Sequence, residues 1–117
     1  MLNDHVLRGT VQFEQDLPAV AGTVMHVLVE AVPHADAAAA IVARLDLPLG
    51  DAVPMGAVLP FSLPVRQVDT AMRHEVRVHV DRSGTGKVKH GDHLSTRSCP
   101  VLTQGWPDVA ELAVVPV

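Results

Sequence analysis

The stretch from His74 to Thr103, HEVRVHVDRSGTGKVKHGDHLSTRSCPVLT, constrains the fold more than any other part of this chain. Within it, Glu75-Val76-Arg77-Val78-His79-Val80-Asp81 alternates polar and apolar residues with period two. That pattern fits a strand with one buried and one wet face, because successive strand side chains point to opposite sides. Val76, Val78 and Val80 are expected in the core, with Arg77, His79 and Asp81 facing water. A one-residue slip would exchange the two sets. On this reading an aspartate at position 78 unfolds the domain, whereas the same change at His79 is nearly silent. Ser83-Gly84-Thr85-Gly86 follows, with residues that tolerate positive φ, so the chain can turn back there.

The core must be built from the same kind of residue throughout. Apolar residues make up 48% of the chain but aromatics only 3%, with no tyrosine, which leaves Val, Leu and Ala to fill the interior. β-Branched valine favours strands. At 117 residues the chain is expected to form one domain, residues 1–117, that needs no disulfide or metal to fold. A single cysteine, Cys99, excludes an internal disulfide, and no CxxC or zinc-ligand spacing exists. A net charge of −4 argues against a nucleic-acid partner, which would want a basic face. No apolar run reaches the length of about 18 residues that a membrane-spanning helix requires. The N-terminal Met-Leu-Asn-Asp-His-Val-Leu-Arg has neither a basic leader nor an apolar run, so the sequence as written reads as cytoplasmic. An export signal ahead of it would place the protein in the periplasm or at the outer membrane.

In chain order, Val6 to Glu14 reads as a first strand, with Gly9 marking a bulge or a close backbone approach. Thr23 to Val32 is a second strand, apolar on both faces at one end and hence central. Pro33 to Asp36 reads as a turn, with Asp36 able to cap a short alanine run before a third strand at Ile41 to Leu47. Val58 to Val65 is a fourth strand, placed at an edge by Pro60 and Pro64. Val68 to Met72 could form one helical turn. Lys87 to Asp92 reads as an exposed hairpin arm, Leu94 to Pro100 as a further strand and Val109 to Val117 as the last. Strands at this spacing, without long amphipathic helices, predict an all-β domain, an antiparallel sandwich or barrel, and the expectation taken is a β-sandwich of seven to eight strands.

Several short segments resemble one family. Arg8-Gly9-Thr10-Val11, Ala35-Asp36-Ala37, Pro60-Phe61-Ser62-Leu63-Pro64 and Pro100-Val101-Leu102-Thr103-Gln104-Gly105, in that order, are similar to the YbaY/YscW family of bacterial envelope lipoproteins. That family includes pilotins, the small chaperones of type III secretion secretins. The resemblance implies a β-sandwich without catalytic activity or cofactor, a protein partner or self-association, and assembly work at the outer membrane. Where the family often carries tyrosines, this chain has His74 and Cys99.

The candidate functional residues are few. Phe61 and Leu63 on the edge strand, with Trp106, are candidates for binding a protein partner or a small apolar ligand. His90, Asp92 and His93, beside His79, could supply imidazole and carboxylate ligands to a metal, although their spacing matches no metal motif and a solvated loop accounts for them better. His74, His79 and Cys99 are the candidates for catalysis, in a small enzyme whose His and Cys side chains line one pocket. A buried thiol is the plainer reading of Cys99. Asp81 with Asp92, or Glu30 with Asp46, could form an acid/base pair but read more simply as solvated. Ser83 to Lys87 lacks the spacing of a phosphate loop and precedes no helix, so it reads as a turn.

Overall fold

The structure, a computed structural model, describes residues 2–33 and 38–117. The expected Asp36 cap and the Ala35-Asp36-Ala37 motif lie outside the described residues. Eight strands follow one another: β1 Leu2–Phe13, β2 Val24–Val32, β3 Ala40–Pro48, β4 Val58–Asp69, β5 Arg73–Asp81, β6 His93–Ser95, β7 Pro100–Val101 and β8 Val109–Pro116. No helix forms among the described residues. The expected turn of helix before β5 is a hydrogen-bonded reverse turn, in which the Asp69 carboxylate and carbonyl accept from the Ala71 and Met72 amides.

All eight strands join one sheet in the order β3-β2-β5-β6-β8-β1-β4, with β7 added beside β5. The sandwich is therefore not what forms. β6 pairs with both β5 and β8, and β1 pairs with both β8 and β4, so hydrogen bonding runs through without dividing into two layers. The sheet curls until its two end strands, β3 and β4, come within 8 Å Cα to Cα, which makes a nearly closed barrel. Most pairings are antiparallel, but β1 and β8 run parallel. Alternation reports that one face of a strand is buried. It is silent on whether that face packs on a second sheet or on the far side of its own.

The barrel interior is aliphatic, as the composition requires. Leu7, Val11, Met25, Val27, Val29, Val65, Val76, Val78, Val80 and Val114 are buried there around Phe13. The core phase of β5 is thus the expected one. β2 lies between β3 and β5, the central position expected of it, and β4 ends the sheet as its prolines suggested. Gly9 lies directly across from Phe61, and a Cβ there would fall 2.4 Å from the Ala110 carbonyl oxygen and 2.5 Å from the Phe61 ring. That is a close approach, which only glycine permits.

The segment expected as one strand from Leu94 to Pro100 is broken into β6 and β7. Between them Ser95 Oγ accepts the Val78 N–H, and the Cys99 carbonyl accepts the Val76 N–H. A side chain thus replaces the ladder for one step, and Thr96 to Ser98 bow outward. Lys87 to Asp92 forms no strand.

Candidate functional site

Two features stand out, and the first is a polar cluster on the outer face of β2, β3 and β5. His26 faces His79 directly across the β2/β5 ladder and Asp46 directly across the β2/β3 ladder, so the three side chains share one face. His26 Nδ1 lies 2.6 Å from Asp46 Oδ1, and its Nε2 lies 3.1 Å from Asp81 Oδ2. Arg44 donates to Asp46 from outside, at 3.2 Å and 3.1 Å. His79 Nε2 is 2.8 Å from Asp92 Oδ2, and the two imidazole rings are 5.6 Å apart.

The loop from Arg82 to Asp92 closes over this face. Asp81 accepts the backbone N–H groups of Ser83, Gly84 and Gly86 and the Ser83 hydroxyl. Asp92 accepts those of Arg82 and Lys89. Burial alone would raise the pKa of both carboxyls. For Asp81 the Gly86 amide, the His26 ring, Ser83 and the Gly84 amide outweigh it and hold the group far below the usual carboxylate range. For Asp92 the opposing groups are His79 and the two loop amides, and again the net direction is down. Hydrogen bonding to the His26 ring, aided by Arg44, also lowers Asp46.

This overturns the expectation that His79 and Asp81 face water. They do lie opposite the valines, but they are only 3% and 0% exposed. The strand phase is right and the solvent is wrong, because the loop that the glycines allow to turn back covers the polar face. His26 was not a candidate in the sequence, and Asp46 was considered only as a partner for Glu30. Their cross-strand register, which brings them to His79, is a property of the pairing and leaves no local signal. The one visible hint is a histidine among the apolar residues of β2.

The second feature is an open groove of about 740 Å³ on the outer surface, between β1, β8 and the bowed Ser95–Cys99 segment. It exists because β6 has only three residues and pairs with β8 only from Val114 to Pro116. The rest of β8 has β1 on one side alone. The Arg8 N–H reaches the Asp108 carbonyl and the Glu14 N–H reaches the Val114 carbonyl, so even-numbered β8 residues bond towards β1. By strand alternation, Val109, Glu111 and Ala113 turn their amides and carbonyls the other way, where β6 has ended. Glu111 and Ala113 line the groove with Thr10, Gln12 and Cys99.

The remaining sequence candidates are dispersed. Phe61 and Leu63 are buried and point into the barrel, so neither is presented at the β4 edge. The exposed positions of that strand are Val58, Pro60, Ser62, Pro64, Arg66 and Gln67. Trp106 is half exposed on the turn before β8. His74 is buried, with Nδ1 3.1 Å from both the Met72 carbonyl and Thr103 Oγ1, and burial lowers its pKa. His93 lies inside the barrel against Phe13, its Nδ1 without a hydrogen-bond partner and its pKa lowered chiefly by burial. His90 is exposed. Burial, with the charge of Glu75, raises the Cys99 thiol, which disfavours the nucleophilic thiolate. The His/Cys pocket therefore does not form. His74 and His93 point inward, His79 lies under the loop and Cys99 faces the groove. His90, Asp92 and His93 likewise diverge, since alternation sends neighbours to different sides.

No protein-family model matches the chain, and no curated protein matches it. Among solved structures, the chain is similar to an alternative pilotin from the type II secretion system of Vibrio cholerae, with a TM-score of 0.76 at 19% sequence identity. The match covers 98% of each chain, so the two share a fold from end to end. The sequence resemblance is to the YbaY/YscW family, which includes pilotins of type III systems, whereas this neighbour belongs to a type II system.

Proposed function

We propose that this protein is a non-catalytic binding module of the pilotin kind, holding a segment of a protein partner in the groove between β1, β8 and Ser95–Cys99. The observation that carries the reading is the interrupted sheet. Glu111 and Ala113 offer ladder groups to that groove, and a bound segment can use them as an added strand does. The β4 edge is a poorer template. Phe13 N–H reaches the Ala57 carbonyl, so odd-numbered β1 residues bond towards β4. Pro60 and Pro64, paired with Thr10 and Val6, therefore face the free edge and have no N–H to give. Support also comes from the fold shared with a pilotin along both chains. A role in secretion, membership of the YbaY/YscW family and a place at the outer membrane belong to the same proposal.

The test is site-specific photocrosslinking in the bacterium that encodes the chain. A photoreactive residue at Ala113 should capture a discrete partner, and one at Ile41, exposed on β3, should not. Equal capture at both positions, or none at Ala113, would overturn the proposal. Glu111→Arg should weaken capture by reversing a charge on the groove wall.

A further inference from the structure

The His26 ring poses a problem of valence. A neutral imidazole has one N–H, yet both nitrogens face carboxylates, Asp46 at 2.6 Å and Asp81 at 3.1 Å. One of those contacts would set a lone pair against an anion. Either a second proton or a shared cation resolves it. On the outer side Arg44 Nη2 already lies 3.1 Å from Asp46 and 3.4 Å from His26 Nδ1, so the contact left without a cation is the inner one, with Asp81 fully buried beside His79.

We propose that His26, His79 and Asp81 form a binding site for a divalent transition ion of the zinc class. One ligand atom from each of the three lies within 4.8 Å of the other two, and all three residues are buried. Ligands bound at about 2.0–2.1 Å to a tetrahedral ion sit roughly 3.3 Å from one another. The 3.1 Å between His26 Nε2 and Asp81 Oδ2 is already close to such an edge, so only His79 has to draw in. Asp46 on Nδ1 of His26 does what outer carboxylates do for metal-bound imidazoles: it fixes the tautomer and the ring orientation. Asp92 fixes the His79 ring in the same way. Two imidazoles and a carboxylate suit zinc, cobalt or nickel and do not suit magnesium, which prefers oxygen. Access runs past Asp46 and Arg44, whose side chains are half exposed. A bound ion would pin β2 to β5 and to the loop that Asp81 organises, away from the groove.

The experiment uses the full chain stripped with a chelator and titrated with Zn²⁺ alone at pH 7.5. Calorimetry should show one saturable site. The thermal midpoint should rise with Zn²⁺ and not with Mg²⁺, and Co²⁺ should give the visible absorption of a tetrahedral site. His26→Gln and His79→Gln should each weaken binding at least about tenfold, while His90→Gln on the surface leaves it unchanged. Wild-type protein that neither binds Zn²⁺ saturably nor gains stability from it would overturn the proposal, with no variant needed. So would a site lost with His90→Gln and kept without His79, which would mark surface binding.

Discussion

At the scale of single residues, β5 shows how far a local pattern reaches. Val78 points into an aliphatic interior, so Val78→Asp buries a charge without a partner and should cost roughly 3 kcal/mol or more. His79 is not the silent neighbour that alternation predicted. His79→Ala removes the partner of Asp92 beneath the loop and should cost about 1–3 kcal/mol. The silent position is Arg77, exposed and paired across the strands with Glu30, where Arg77→Gln should cost less than about 1 kcal/mol. Urea midpoints of the three variants should therefore rank Arg77→Gln above His79→Ala above Val78→Asp. A His79→Ala midpoint equal to that of Arg77→Gln would mean that the loop does not seal the cluster. Val78 and His79 were both legible as facing opposite sides. What lay over His79 was not, because the cover comes from residues three to thirteen positions downstream, Arg82 to Asp92.

At the scale of elements, β1 has partners on both sides, one parallel and one antiparallel, and at Gly9 a side chain would meet both of them. Gly9→Ala sets a methyl group against the Ala110 carbonyl and the Phe61 ring, an overpacking that should cost about 1–3 kcal/mol. Shrinking the ring relieves one of the two clashes. The loss on Gly9→Ala should therefore be smaller in a Phe61→Leu background, a coupling readable from four thermal or urea melts. Strict additivity would place the ring elsewhere. The glycine's role was visible in the sequence as an anomaly within a strand pattern. Its partners were not, since pairing of β1 with β8 joins residues a hundred positions apart. The same long-range pairing explains why the strand expected from Leu94 to Pro100 breaks. Its Ser95 hydroxyl finds the β5 backbone, and the shortened β6 leaves β8 with the free edge that makes the groove.

At the scale of the whole molecule, buried titratable groups tie stability to pH in two stages. His74 and His93 have pKa values held below the ordinary 6.5, chiefly by burial, so the unfolded chain takes up their protons first. Stability from these two is complete above about pH 6.5 and declines as pH falls below it. Asp46, Asp81 and Asp92 are depressed below the ordinary 3.8, so their contribution is complete above that value and is lost as pH falls further. Denaturant melts from pH 8 to pH 2 should show a shallow decline beginning near neutrality and a steeper one below about pH 4. Replacing His74 with Gln, which keeps a donor for Met72, should flatten part of the first stage and leave the second. A profile flat down to pH 4 in the parent would remove the histidine stage. The sequence by itself determined an all-β chain, the valine face of β5, the central place of β2 and the edge place of β4. Each of these follows from period-two alternation, proline or composition, which act over a few neighbouring residues. Only the tertiary structure decided that the strands close one barrel-like sheet, that the loop buries His79 and Asp81 beside His26, and that β6 stops short beside β8. Those outcomes depend on which strands pair and in what register, and that choice is made by contacts between residues distant in the chain.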